Sequence, residues 1–435
     1  MSQPTAAAVV AALADHWHPR LAALRDDPAG EAAFWEAIAA ERTPLVEPDP
    51  EDPGHSRVTY VFAAPEGAGH VVLLAGLPGP ERHLLRRVAG TNVWFAAFRY
   101  RDDVRATYAF APDMPLTPWE EADEAELAAL QAYAREHPSI VDPHAREDFL
   151  IRMGGQAPDR PTSLMSLPRA PRDERVGWRK DVARGKVETH TFESAILGNS
   201  RRVFVHTPVG YDPSTAYPLL VAFDGGSALA QQGVRHLLDN LAAEGAMRPH
   251  IAVLIDNATD TSRGDELPCN EAFARMFEDE LLPWLHGLHR IAPAADDPAG
   301  PGPHTVTGAS YGGLASLWFA WRMPHLFGTV IAQAPSLWWG QGFLNNHPWK
   351  HQTHTPEWLI DQYAAGPRRP VRIWQEIGLM ESPQTMLGPN RRMRAVLEAK
   401  GYDLTYREFA GGHDYAVWRY SLAEALATML PAKAG

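Results

Sequence analysis

The run Gly308-Ala309-Ser310-Tyr311-Gly312-Gly313 constrains this chain more than any other stretch. Three β-branched residues, Thr305-Val306-Thr307, precede it, and Gly313 to Arg322 follows with the pattern of a helix. A strand that passes into a helix through G-x-S-x-G must turn sharply, and glycines on both sides of the serine keep that turn free of side-chain clashes. The turn lifts the hydroxyl above the end of a sheet, before a helix N-terminus that favours negative charge. The motif alone is short enough to arise by chance in a chain with 34 glycines. The strand before it and the helix after it are what give it chemical meaning.

The surrounding sequence supplies the matching fold. From about Lys186, apolar strands (Val203-Phe204-Val205, Pro218 to Phe223, Ile251 to Ile255) alternate with helical stretches (Gln232 to Glu244, Glu271 to Leu285). That rhythm predicts an open, mostly parallel sheet covered on both faces. With the serine motif it predicts an α/β fold class, an α/β-hydrolase catalytic domain over 179–435. The first 178 residues read differently. Ala6 to Glu41 is Ala-rich with helical spacing, which predicts one or two short helices and a small amphipathic helix at the N-terminus. Glu47 to Pro53 is a polar break. Arg57 to Phe62, His70 to Leu74, Thr91 to Phe98 and Ala106 to Phe110 then predict strands of a β-sandwich. A helix is expected over Glu120 to Glu136, and Val141 to Trp178, rich in Pro, Arg and Asp, reads as a linker.

A nucleophilic serine needs a base, and in this fold the chain order is Ser, acid, His. Position must choose among 19 histidines. His413, in Gly411-Gly412-His413-Asp414, follows the predicted strand Leu404 to Phe409 and precedes the last helix, so its tight loop brings the imidazole over the sheet end. His304 is at the wrong end of its strand, and His347, His351 and His354 lie in a polar loop that suits a lid or solvent. The acid candidates are Glu376, Glu381 and Asp361. The loop after the strand Val371 to Ile377 favours Glu381; Glu376 falls inside that strand and Asp361 before it. Asp414 reads as a loop cap. For the oxyanion, one donor is expected from the Tyr311 amide. The other is expected from the turn Asp224-Gly225-Gly226-Ser227, as the Gly226 amide with Gly225 as alternative; an ordinary Gly-Gly turn is the plainer reading of the same residues.

Composition narrows the function further. The net charge of −13 disfavours nucleic acid as a partner, because phosphate neutralisation needs clustered Lys and Arg. No run of about 18 apolar residues predicts a membrane span, and no secretory pattern opens the sequence. The single cysteine, Cys269, rules out an intramolecular disulfide and reads as a packed small residue. The expectation is a cytoplasmic protein. No zinc spacing or phosphate-binding glycine loop is present, so no cofactor or metal is expected.

Several further runs carry a family resemblance. They are Val88-Ala89-Gly90-Thr91-Asn92-Val93-Trp94, Leu164-Met165-Ser166-Leu167-Pro168, Asn199-Ser200-Arg201-Arg202-Val203, Glu266-Leu267-Pro268-Cys269-Asn270, Ser336-Leu337-Trp338-Trp339 and Gly411-Gly412-His413-Asp414 with Trp418-Arg419. Together with Gly308 to Gly313 they resemble the enterochelin (enterobactin) esterases. The resemblance covers most of the chain. It implies a triad at Ser310, Glu381 and His413, oxyanion donors at Gly226 and Tyr311, and an immunoglobulin-like N-terminal sandwich over the site. It also implies a small-molecule substrate, a catecholate siderophore whose iron belongs to the substrate and not to the protein. Such a trianion needs local positive charge. Arg263 is the first choice, with Arg99, Arg101 and Arg105 as sandwich candidates that read equally well as surface groups. Trp338 and Trp339 suit stacking on catechol rings, although a Trp pair is as often core. The sequence departs from the family at Pro335, where glycine is frequent, and over Gln341 to Tyr363. The same serine chemistry also serves a general carboxylesterase or an acyltransferase.

Overall fold

The structure is a computed structural model and describes residues 8–76, 83–118, 121–151, 160–259, 261–297, 300–344 and 355–432. The loop histidines 347, 351 and 354 lie outside these residues. No helix among the described residues is long and apolar enough to cross a membrane.

The C-terminal half is an eight-stranded sheet. Its strands are β1 (Lys186–Ser194), β2 (Asn199–Thr207), β3 (Leu219–Phe223), β4 (Ile251–Ile255), β5 (His304–Ala309), β6 (Phe327–Gln333), β7 (Arg372–Gly378) and β8 (Asp403–Phe409). Their order is β1-β2-β4-β3-β5-β6-β7-β8. The pairs β1–β2 and β2–β4 are antiparallel, and all later neighbours run parallel. Strands β3, β4, β5 and β6 are buried at every residue, the continuous burial expected of a parallel sheet covered on both faces. One core cluster gathers Val221, Val253, Phe273, Phe277, Phe319 and Phe327 on one face, and another gathers Leu220, Leu238, Trp374 and Leu426 on the other. Cys269 packs against the first of these.

The N-terminal half is a sandwich of two antiparallel five-stranded sheets. One holds Val10–Ala12, Leu45–Pro48, His55–Ala63, Arg86–Arg87 and Val93–Arg101. The other holds Val71–Leu74, His83–Leu84, Arg105–Pro112, Glu147–Ile151 and Arg160–Ser166. Two expectations need correction. The N-terminal apolar run forms the strand Val10–Ala12 against Val93–Arg101, and the α-helices of this stretch follow at Pro19–Asp26 and Glu31–Glu41. Part of the stretch read as linker also forms strands: Arg160–Ser166 pairs with Arg105–Pro112, and Glu147–Ile151 pairs with Arg160–Ser166. Edge pairing overrides a polar composition there, and Pro161 pairs with Leu150 ahead of the register with Arg105–Pro112, which begins at Ser163, so it interrupts no pairing with that strand. The expected helix before these strands runs Glu124–Glu136 and starts with an Asp123/Glu126 capping box.

The two halves share a core. Val58, Tyr60, Phe98 and Tyr108 of the sandwich cluster with Ala309, Ile377, Met380, Met386 and Trp418 of the catalytic half. This core seats the sandwich against the loops that follow β5, β7 and β8, so the carboxyl end of the sheet is walled from that side.

Candidate active site

The serine turn adopts the geometry its glycines permit. Ser310 has φ 60° and ψ −122°, a region costly for any residue with a Cβ, between β5 and α2 (Tyr311–Arg322). A Cβ on Gly308 would stand 2.6 Å from the Gly312 backbone, and one on Gly313 would stand 3.0 Å from the Gln333 carbonyl. Neither turn residue can be larger without moving the backbone. The Ser310 N–H donates to the Gln333 carbonyl at 3.0 Å, which pins the turn to the end of β6.

His413 lies in the loop after β8, just ahead of α3 (Tyr415–Met429). Its Nδ1 donates to Glu381 Oε2 at 2.8 Å, and its ring meets the Trp418 indole edge-on with centroids 4.7 Å apart. Glu381 follows β7 and is 4% exposed. A Cβ on Gly378 would stand 2.3 Å from the Gly411 carbonyl, so glycine lets the β7 and β8 loops approach closely. Ser310, Glu381 and His413 line one cavity of about 500 Å³ with Tyr311, Ser336 and Trp338. Among the described residues, the hydrogen bond of the Ser310 hydroxyl is to Ser336, with Oγ to Oγ 3.2 Å.

The other acid candidates lie elsewhere. Glu376 is 1% exposed within β7 and accepts hydrogen bonds from Gln333 Nε2 (2.8 Å), Trp374 Nε1 (2.9 Å) and the Ser421 hydroxyl. Burial pushes its carboxyl above the ordinary value, against the pull of the bonds from Ser421, Trp374 and Gln333. Asp361 is exposed on the helix Trp358–Ala365. Asp414 is the N-cap of α3, accepting from the Ala416 N–H at 2.8 Å, and its other oxygen accepts from the Thr107 N–H of the sandwich at 2.6 Å.

Gly226 does not take the expected place. Its N–H donates to Asp256 Oδ1 at 3.1 Å, and neither Gly226 nor Gly225 is among the cavity's lining residues. The double glycine instead serves packing: a Cβ on Gly225 would lie 2.8 Å from the Leu254 backbone, so the helix α1 (Gly225–Ala230) can press onto β4. Both glycines lie in the first turn of that helix. Tyr311 does open α2 beside Ser310, on the cavity wall.

The expected binding residues divide. Arg263 lines the cavity, but its fork is engaged by Asp224, with Nε to Oδ1 2.7 Å and Nη2 to Oδ2 2.8 Å, and it lies over the Tyr311 ring. Burial works against its charge, yet Asp224 holds the guanidinium above its ordinary value. Trp338 lines the cavity beside Tyr311 and Phe343. Trp339 does not; it is 8% exposed in the core against Trp358. Nor do the sandwich arginines: Arg101 pairs with Asp103, and Arg105 is buried over the Tyr420 ring. Sequence reading missed Met380, Ser382, Thr385 and Met386, which continue the Glu381 loop around the cavity, and Gly76 of the sandwich. Proximity to Glu381 in sequence was a usable signal for the first four; nothing local marked Gly76.

Comparison with known proteins fits this arrangement. A family described as putative esterase matches residues 194–429, and one described as enterochelin esterase, N-terminal, matches residues 57–176. The iron(III) enterobactin esterase of Dickeya dadantii is 30% identical over 425 residues, covering 92% of this chain and 93% of that protein. The crystal structure of ferric enterobactin esterase from Salmonella typhimurium matches with a TM-score of 0.70 at 25% identity, over 91% of this chain and 98% of that one. The enterobactin esterase of Shigella flexneri, crystallised in the presence of enterobactin, matches with a TM-score of 0.68 at 26% identity, over 92% and 98%. A serine set in a strained strand-to-helix turn, sharing its cavity with a carboxylate-bound histidine beneath an N-terminal sandwich, is thus found in a chain that belongs to the enterochelin esterase family of carboxylic ester hydrolases.

Proposed function

We propose that this chain hydrolyses the ester bonds of a catecholate siderophore of the enterobactin type, with Ser310 as nucleophile, His413 as general base and acid, and Glu381 as the carboxylate that orients it. The observation that carries the reading is the 2.8 Å bond from His413 Nδ1 to a nearly sealed Glu381, in the same cavity as Ser310. That bond fixes the tautomer in which Nε2 accepts a proton.

The steps follow from these groups. Nε2 takes the proton of Ser310 as Oγ adds to the ester carbonyl. The Tyr311 N–H, at the start of α2, donates to the oxyanion. Collapse breaks the bond to the alcohol oxygen, which receives the proton from His413. Water repeats the sequence on the acyl-enzyme and frees the acid. The chemistry uses this chain's own side chains and calls for no cofactor; Fe(III) arrives as part of the substrate, and cutting the serine esters that join the catecholate arms weakens its chelation. Trp338 and Phe343 offer aromatic wall to a catechol ring. We place the reaction in the cytoplasm, in keeping with one cysteine and no intramolecular disulfide.

The test is to incubate the protein and Ser310→Ala with ferric enterobactin and follow products by mass spectrometry. Dihydroxybenzoyl-serine monomers or oligomers are expected only with the intact serine. Enterobactin left whole while a simple aryl ester is cleaved would overturn the substrate and leave the serine chemistry standing.

A further inference from the structure

The chain leaves β6 at Gln333 and turns through Ala334, whose φ of +41° is costly for a residue with a Cβ. Several bonds hold that turn. The Ala334 N–H donates to the Glu376 carbonyl at 2.8 Å. Asn390 Nδ2 donates to the Pro335 carbonyl at 2.9 Å, and the buried Asn390 is itself gripped through its Oδ1 by Gln375 Nε2 at 2.9 Å. The Ser336 N–H donates to the Ser310 carbonyl at 3.1 Å. The product of this clamping is a hydroxyl, on a residue 3% exposed, placed 3.2 Å from Ser310 Oγ in the wall of the cavity.

The sheet order fixes the side from which it comes. Strand β6 lies between β5, which carries Ser310, and β7, which carries Glu381, whereas β3 lies on the far side of β5. Ser336 therefore meets the nucleophile from the flank of Glu381 and His413, away from the Gly225-Gly226 turn. At rest one hydrogen bond joins the two hydroxyls. When Ser310 is acylated, its Oγ becomes an ester oxygen and a poor acceptor, and the buried Ser336 hydroxyl needs another partner.

We propose that Ser336 is a catalytic residue of the second half-reaction: its hydroxyl holds Ser310 Oγ in the resting enzyme and hydrogen-bonds the attacking water in the acyl-enzyme. In that step the water oxygen bonds to the acyl carbon and His413 takes the water's proton. The C–Oγ bond then breaks, and the proton passes to Ser310 Oγ. Ser336 keeps its own proton throughout. The inference rests on Ser310 being the nucleophile, and not on which ester is the natural substrate.

The experiment is stopped-flow kinetics with p-nitrophenyl acetate, paired with intact-protein mass spectrometry, on the wild type, Ser336→Ala, Ser336→Cys and Ser336→Thr. Alanine and the weak-donor cysteine should lower the deacylation rate ~10-fold or more, a larger loss than in acylation, and make the acetyl-enzyme the dominant species. Threonine, which restores a hydroxyl, should return deacylation toward the wild-type rate. The cysteine variant keeps the test alive should alanine unfold the turn, which a thermal melt reports. Unchanged turnover, or an equal loss of both steps without acetyl-enzyme, overturns the proposal. Acetylation of Ser310→Ala under the same conditions would instead sink the nucleophile assignment.

Discussion

Glu381 Oε2 accepts from His413 Nδ1 at 2.8 Å, and the two side chains differ sharply in setting: the carboxylate is 1% exposed and the imidazole 41%. A shielded carboxylate bonded at the Nδ1 edge holds the ring against rotation while the rest of the imidazole stays open to the cavity and solvent. Glu381→Gln keeps the volume and removes the charge. Its kcat on an aryl ester should fall by about 10³–10⁴-fold with KM little changed. Glu376→Gln, inside β7, should leave kcat near the wild-type value. A larger loss from Glu376→Gln than from Glu381→Gln would reverse the assignment of the acid.

Glu376 makes its own prediction, in stability. Burial raises its carboxyl in the folded state, so folding favours the protonated form. Its contribution is whole below the unfolded value of about 4.3 and declines as pH rises from there through the raised folded value. Glutamine keeps an acceptor oxygen for Gln333 and Ser421, turns an amide NH2 toward the Trp374 N–H at a cost that does not vary with pH, and does not ionise. Relative to wild type, the melting temperature of Glu376→Gln should therefore climb as pH is taken from 4 toward neutrality. A constant offset across that range would show that the group does not ionise on unfolding as described.

The site was legible where it depends on the order of strand ends. Ser310, Glu381 and His413 each follow a strand, and the topology sets β5, β7 and β8 close together with only β6 between the first two. The sequence carries that order in its strand–helix rhythm, so loop position alone was enough to expect three distant residues in one cavity. It was not legible where a tertiary neighbour decides. The Gly226 amide points to Asp256 because β3 and β4 are paired, and no local pattern announces that partner. Trp338 and Trp339 are adjacent in an irregular loop with no period to say which faces the cavity. The strands Glu147–Ile151 and Arg160–Ser166 are polar enough to pass for linker and owe their form to the edge they join.

Arg263, expected from the sequence as a ligand for an anion, lines the cavity and also braces Asp224 in the fold. Asp224, 4% exposed, depends on its fork, helped by Asn257 Nδ2 at 2.8 Å. Arg263→Gln should strand that carboxylate and lower stability by about 2–4 kcal/mol. Adding Asp224→Asn should recover part of the loss, read by urea unfolding of both single variants and the double. If the double variant is no more stable than Arg263→Gln, the pair is not the brace described.

Asp414 joins the site to the sandwich through a single carboxylate. One oxygen caps α3 at Ala416, and the other accepts from the Thr107 N–H across the domain boundary. Asp414→Ala removes the cap and leaves the Thr107 amide without that partner, a combined cost of about 2 kcal/mol. Because α3 begins one residue after the histidine's own neighbour, the same change loosens the loop that aims His413 at Ser310. Both the melting temperature and kcat should fall. Asparagine keeps an acceptor for only one of the two amides, and a side chain of that shape favours the cap. Asp414→Asn should therefore restore most of the helix stability and less of the activity. Hydrogen exchange at Thr107 reads the boundary directly: it should quicken in both variants, and an unaltered rate would mean that the sandwich is held over the site by the shared apolar core alone.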